Sequence, residues 1–331
     1  MSRKRIDPLE PVSVWSEKDM VEGKIEDALV VIIRSRGCYW ARQSGCLMCG
    51  YNNDCTDGVT AEDLVIQFGK AMERHSGQNY IKIYTSGSFL DPREVEPAAR
   101  DRILELAGAR SGKVLVESRP EFVNTESLAS AYRFVKHLEI AIGLETADDG
   151  LRARSINKGF LFRDFERACK AASESEASIR TYLLLKPPYV SESQAILDVV
   201  ESARKAGPMS QTISINPVNV QRGTRVEEMW KKGQYRPPWL WSLVEAMRKA
   251  GEVTDARIVS APSGGGSRRG AHNCGKCDDA ILKAVETSSL GGGMEALIMP
   301  KCSCHERWLD YLEVEPFMGS VGDIEKLAEP Q

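Results

Sequence analysis

The sequence predicts an α/β chain: a partial barrel of six strand–helix units, (β/α)6, followed by a small metal-binding module. Three observations carry that expectation. Six short apolar, β-branched runs recur along the first two-thirds of the chain. Segments with helical periodicity separate them. After about residue 251 the composition turns Gly-rich and basic, and four of the nine cysteines gather there.

The six runs are "ALVVIIRS" (28–35), "YIKIYTS" (80–86), "GKVLVES" (112–118), "LEIAIGLE" (138–145), "IRTYLLLK" (179–186) and "QTISINPV" (211–218). Each reads as a strand buried on both faces. The first intervening helix, "TAEDLVIQFGKAMERH", opens on Thr60 as N-cap. "DPREVEPAARDRILELAG", "NTESLASAYRF", "FRDFERACKAASE" and "SESQAILDVVESARKAG" follow. Strand alternating with helix implies parallel pairing through right-handed crossovers. A later helix, "PPWLWSLVEAMRKAG" (237–251), is expected to start on prolines suited to a first turn. The resulting organisation is an N-terminal extension (1–27), the barrel (28–251) and the metal-binding module (252–331).

With 331 residues, 42% hydrophobic and 27% charged, the protein is long enough for a large core. No run approaches the roughly 18 apolar residues of a membrane span. The stretch "MSRKRIDPLEPVSVWSEKDM" lacks the apolar core of a secretory signal. A cytoplasmic protein without membrane association is expected, with reduced thiols whose spacing points to metal rather than disulfides. The net charge of -3 does not by itself point to a nucleic-acid partner. Basic residues nevertheless cluster, at Arg34, Arg36 and Arg42, at Arg152, Arg154 and Lys158, and along 222–236 and 268–269. Each cluster alone also reads as a solvated face.

Two cysteine sets carry the chemistry. In "RSRGCYWARQSGCLMCGYNND" (34–54), Cys38, Cys46 and Cys49 are spaced C-x7-C-x2-C. They follow the first predicted strand, at the end of a barrel that bears its reactive groups. Three thiolates on one loop suit a soft metal centre. An iron–sulfur cluster is usually held by four, so three leave one iron open. Cys55 reads either as a fourth ligand or as an incidental nearby thiol, and a zinc site with a distant fourth ligand is the alternative. The second set is Cys274, Cys277, Cys302 and Cys304, in "AHNCGKCDD" and "PKCSCHERW". C-x2-C with C-x-C closes a tetrahedron, read as structural zinc, with an auxiliary iron–sulfur cluster as the alternative. His272 and His305 read as neighbours of that set, and Cys169 as a core thiol.

A three-cysteine loop after the first strand of a six-unit barrel resembles the radical S-adenosylmethionine superfamily, whose commonest spacing is C-x3-C-x2-C. The resemblance implies a [4Fe-4S] cluster on Cys38, Cys46 and Cys49, its open iron chelating the amino and carboxylate groups of S-adenosylmethionine. It also implies roles at later strand ends. In "YTSGSFLDP", Ser86, Gly87 and Ser88 would form the edge that contacts the methionine amino group. In "VESRPE", Glu117 would meet a ribose hydroxyl, with Arg119 beside it. In "GLETADDGLRARSINKGF", Glu145, Arg152 and Lys158 would serve the ligand carboxylate or a phosphate. An electron donor would reduce the cluster, the sulfonium would be cleaved, and a 5′-deoxyadenosyl radical would take hydrogen from a substrate carbon. No catalytic residue beyond the cluster loop is assigned.

"RGCYWARQSGCLMCGY", "INPVNVQRGTRVEEMWKKGQYRPPWLWS" and "APSGGGSRRGAHNCGKCD" resemble the archaeal radical enzymes that complete archaeosine, over residues 28 to about 310. The radical domain of the Elongator catalytic subunit is a looser likeness. The resemblance implies a C–N lyase acting on tRNA that carries a lysine-adducted deazaguanine in its D-arm, made by a partner lysine transferase. Cleavage of the C–N bond to the lysine side chain would leave the amidine. Arg222, Arg225, Arg236, Arg268 and Arg269 are the expected RNA contacts, beside Trp230, Trp239 and Trp241, which read equally as packing. Tyr39 and Trp40 read as a shield for the cluster or as packing. Two further readings stay open: radical modification of another tRNA base or a small molecule, and a non-catalytic zinc protein that binds RNA.

Overall fold

All six apolar runs are strands in the computed structural model, which describes residues 7–317. Residues 1–6 and 318–331, the outer ends of the expected extension and metal module, lie outside the described residues. The six strands are β2 (Lys24–Ile32), β3 (Tyr80–Tyr84), β4 (Lys113–Glu117), β5 (His137–Glu145), β6 (Ser178–Leu185) and β7 (Thr212–Pro217). Two unforeseen strands flank them, β1 (Ser13–Val21) and β8 (Arg257–Val259). The eight strands follow one another across one sheet in sequence order. β1 and β2 form an antiparallel hairpin, whereas β2 to β5 pair in parallel, as do β7 and β8. The hairpin turns at Glu22 and Gly23, both at positive φ, the backbone a tight two-residue turn demands. With the intervening helices and the cysteine module that follows, this is the expected partial-barrel class.

Two compact units divide the protein. The first runs through Ser44 and resumes over Tyr51–Ile142 and Arg163–Arg180; the second takes Gly45–Gly50, Gly143–Phe162 and everything from Thr181 onward. In the first, Phe68, Ile83, Phe89, Ile103, Leu104, Val116 and Phe165 are fully buried. In the second, Ile156, Leu184, Val218, Val220, Val226, Met229 and Tyr235 form one apolar cluster, against which Met48 of the cysteine loop packs.

Local signals place most helices as expected. Thr60 and Asp63 close a capping box on the helix Ala61–Met72, and Ser191 and Gln194 do so on Glu192–Ala206. One expectation is corrected. The helix expected over 237–251 starts at Leu240, so Pro237 and Pro238 precede its N-cap, Trp239, instead of occupying its first turn. Its first amides are capped from a distance. The Glu192 carboxylate accepts from Trp239 N at 2.6 Å, and Asn273 Oδ1 accepts from Leu240 N at 2.9 Å.

The first unit also holds a buried ionic network. Lys82 of β3 reaches Glu17 and Asp19 of β1, each at 2.6 Å. Arg180 of β6 bonds Asp19 and Glu139 of β5, both at 2.8 Å, and Lys113 of β4 also pairs with Glu139. Tyr80 donates its hydroxyl to Glu139 at 2.8 Å. Burial alone would push the Glu139 carboxyl up, but Arg180 and Lys113 outweigh it and bring its pKa down to about 2. A depressed carboxyl contributes stability that is full above its unfolded value near 4.5 and is lost as pH falls through 2. Glu139→Gln is therefore expected to cost about 3 kcal/mol at neutral pH. Urea unfolding at successive pH values should show the gap to wild type closing between pH 5 and 2. A gap independent of pH would show that the ion pairs do not carry it.

Candidate active site

In the first unit, the backbone leaves β2 through Ser35 and Gly37 to reach Cys38. Gly37 sits at φ +96°, and a Cβ there would run into the Asn52 carboxamide and lie 3.1 Å from Cys55 Sγ. Only glycine meets both demands. The loop after β3 is as tightly constrained. A Cβ on Gly87 would lie 2.8 Å from both Cα and Cβ of Cys38, and 2.5 Å from Glu94 Oε2. The Ser86–Ser88 loop thus meets the first cysteine backbone to backbone.

Beneath that loop lies Glu94, 2% exposed. Its carboxylate accepts from Ser35 Oγ at 2.6 Å and from the backbone amides of Ser86, Gly87 and Ser88 at 3.1, 3.1 and 2.6 Å. Burial pushes its pKa up, against the pull of these donors. Cys55 Sγ lies 2.8 Å from Ser86 Oγ, and burial pushes this thiol up to about 11.

The loop after β4 joins the same place. Arg119 donates its amide to Ser88 Oγ at 3.0 Å, and its guanidinium pairs with Glu121 at 2.6 Å. That guanidinium lies 5.3 Å from the Tyr39 ring and 5.6 Å from the Trp40 ring. Tyr39 also donates to Glu121 at 2.6 Å and carries Arg93 over its face at 4.1 Å. Glu117 is half-buried at the end of β4, and its carbonyl accepts from Phe89 N at 2.8 Å. Cys38, Ser86, Gly87, Ser88, Glu117 and Arg119 are therefore brought together. Glu94 and Arg93, which complete the arrangement, carried no recognisable signal in "DPREVE".

In the second unit, Gly45–Gly50 carries Cys46 and Cys49. Leu47 donates to the Ile156 carbonyl at 3.0 Å, and Asn157 Nδ2 donates to the Gly45 carbonyl at 2.7 Å. Val226 donates to the Leu47 carbonyl at 3.3 Å. The partner residues belong to a π-turn, Arg152–Ile156, to Asn157 that caps it, and to the segment after β7. Glu145 ends β5 at φ +67° and pairs with Lys158. A non-glycine residue held there is strained unless its surroundings enforce it. Arg152 departs from its expected place facing a ligand. It is 1% exposed and donates to the carbonyls of Leu144, Thr146 and Phe160, besides pairing with Asp149. A buried guanidinium has enough donors to serve all three carbonyls.

The five arginines expected at RNA have different settings. Arg236 donates to the carbonyls of Pro237 and His272, both at 2.7 Å, and lies 3.9 Å over Trp239. Arg269 bonds the Val220 carbonyl at 2.9 Å and Glu227 at 2.7 Å. Arg225 bonds Tyr189 and Glu228. Arg222 and Arg268 are exposed. Trp239 and Trp241 are buried, which is their packing reading, and Trp230 packs on the apolar cluster.

The second cysteine set converges closely. Sγ–Sγ separations are 3.9 Å for Cys274–Cys277, 3.6 Å for Cys274–Cys302, 3.5 Å for Cys277–Cys304 and 3.4 Å for Cys302–Cys304. A tetrahedral ion with metal–sulfur bonds of about 2.3 Å has sulfur–sulfur edges of about 3.8 Å. The set fits one ion, whereas a cubane would hold its thiolates wider apart. Asn273 Nδ2 donates to Cys277 Sγ at 3.4 Å and Trp241 Nε1 to Cys304 Sγ at 3.3 Å, the outer hydrogen bonds that orient thiolate ligands. His272 and His305 stand outside the four; His305 packs between Trp241 and Trp308. Cys169 is buried and its pKa is pushed up to about 12, as suits a core thiol.

No helix among the described residues is long and apolar enough to cross a membrane. No protein-family model matches the sequence. It is 43% identical over 316 residues to the archaeosine synthase subunit beta of Methanosarcina acetivorans, spanning 93% of this protein and 91% of that one. It is 38% identical over 308 residues to the archaeosine synthase subunit beta of Thermococcus kodakarensis, spanning 90% and 95%. Among solved structures, archaeal Elp3 of Methanocaldococcus infernus shares the fold, with a TM-score of 0.51 and 16% identity over 68% of this protein and 59% of that one. Identity of that order across nine-tenths of the sequence is decisive, and the protein belongs to the archaeosine synthase subunit beta family.

Proposed function

We propose that this protein is a radical S-adenosylmethionine lyase that cleaves the C–N bond to the lysine side chain in a lysine-adducted deazaguanine of tRNA, leaving the amidine. Cys38, Cys46 and Cys49 would hold a [4Fe-4S] cluster, and Cys274, Cys277, Cys302 and Cys304 a structural zinc ion. The observation that carries the reading is the meeting of Cys38 with Gly87, where a Cβ would lie 2.8 Å from the cysteine backbone. Cys38, the first proposed cluster ligand, thus lies beside the loop that would bind the methionine amino group.

When bound, the cluster and S-adenosylmethionine would supply one-electron chemistry that removes a hydrogen atom from carbon. The residues themselves hold and orient. Ser86–Ser88 would take the amino group, Glu117 the ribose, and the Glu145–Lys158 pair the carboxylate. Tyr39, Trp40 and Arg119 cover the loop on the first unit's side and would limit water. The exposed Arg222 and Arg268 suit phosphate contacts. The partners would be the modified tRNA, the lysine transferase that prepares it, and an electron donor.

Mass spectrometry of tRNA from a strain lacking the gene tests the reaction. Loss of archaeosine with accumulation of the lysine adduct is expected; unchanged archaeosine would overturn the reading.

A further inference from the structure

We infer that Glu94 is the positioning residue that makes the Ser86–Ser88 loop a receptor for a primary ammonium group. The inference rests on the reading of this site as the seat of S-adenosylmethionine and adds a residue to it.

The argument starts from peptide geometry. In a planar trans peptide the N–H and the preceding C=O point in opposite directions. Glu94 draws the three successive amides of Ser86, Gly87 and Ser88 onto one carboxylate. The carbonyls that share planes with the Gly87 and Ser88 amides, those of Ser86 and Gly87, must therefore face away from it. Among the described residues nothing donates to either carbonyl. The side of the loop facing away from Glu94 is thus an acceptor surface that asks for a donor.

Charge acts in the same direction. The four groups bonded to Glu94 are a hydroxyl and three amides, all neutral, so no bonded cation offsets its charge. The nearby Arg93 is engaged with Asp91 at 2.9 Å. A buried, unneutralised carboxylate behind outward-facing carbonyls favours a cation in front of them. Glu94 also reaches Ser35, whose Oγ accepts from Gly37 N at 3.1 Å just before Cys38. One carboxylate therefore sets both the ammonium-facing loop and the approach to the first cluster cysteine.

Binding measurements on the cluster-loaded protein test this, using S-adenosylmethionine and 5′-methylthioadenosine, which lacks the amino-acid portion. Glu94→Gln keeps the shape, removes the charge and turns an NH2 toward donors. It should weaken S-adenosylmethionine about 10- to 100-fold, the range for a hydrogen bond to a charged group. Affinity for 5′-methylthioadenosine should hold within about twofold, as should iron content and unfolding temperature. Glu94→Asp, which restores the charge, should recover part of the loss; it also carries the test if the glutamine variant does not fold. Equal weakening of both ligands, or unchanged S-adenosylmethionine affinity, would overturn the role of Glu94 while leaving the site's reading intact. Failure of the wild-type protein to bind S-adenosylmethionine would overturn both.

Discussion

Cys46→Ala is expected to abolish 5′-deoxyadenosine formation while leaving the fold intact. Cys46 sits in a turn closed by Cys49 N on its own carbonyl at 3.3 Å, and the flanking bonds, from Leu47 N to the Ile156 carbonyl and from Asn157 Nδ2 to the Gly45 carbonyl, use no thiol. Met48, not a cysteine, provides the segment's apolar anchor. Removing one thiol therefore leaves the loop's attachments in place but takes away one of three proposed cluster ligands, and two cannot retain the cluster. The visible iron–sulfur absorption and the nucleoside product should vanish together, with the far-ultraviolet circular dichroism and tRNA binding unchanged. Normal turnover in this variant would sink the assignment of the loop.

The second large effect lies at the other cysteine set. Replacing Cys274 and Cys277 together with serine should remove one metal ion per molecule and the order of the C-terminal module. Structural zinc contributes about 10–16 kcal/mol in small zinc domains. The consequence should travel. Cys304 opens the helix Cys304–Val314, and the next residue, Glu315, enters a buried cluster with Lys186 and Glu192. Burial alone would discharge Lys186, but Glu192 and Glu315 hold its pKa above the ordinary lysine value. Without its metal the helix would no longer hold Glu315, leaving Lys186 with one carboxylate. Limited proteolysis should then cut the C-terminal residues quickly, and the unfolding temperature should fall. Zinc should drop to zero with iron unchanged. Loss of about four irons instead would identify an auxiliary cluster, and full metal retention would refute the site.

How much of this was legible depended on whether the information was local. The six core strands announced themselves because a strand covered on both faces is a continuous apolar run, as in "ALVVIIRS". β1 did not. Its sequence, SVWSEKDMV, reads as a solvated stretch. Asp19 is buried only because Lys82 and Arg180, 63 and 161 residues away, arrive to match it. Arg152 shows the same limit: as a basic residue at a strand end it read as a ligand contact, but the backbone carbonyls it bonds, those of Leu144 and Thr146, are set by the fold.

The candidate site divides along the same line. Cysteine spacing is a local property, so the C-terminal set could be read from sequence as a closed tetrahedron, and its four sulfurs lie within 4.8 Å of one another. Gly37 and Gly87 mark close approaches whose partners only the structure reveals: Asn52 and Cys55 for one, Cys38 and Glu94 for the other. Glu94 lay in an acidic segment with nothing to separate it from a solvated carboxylate.

The sequence by itself determined the strand–helix alternation and the closed four-cysteine set, because backbone periodicity and ligand spacing act over a few residues. Only the tertiary structure decided which charges are buried and what they pair with. A carboxylate or guanidinium can be buried only where its partners converge in space, and for Glu94, Arg152 and Asp19 that convergence is made by the fold.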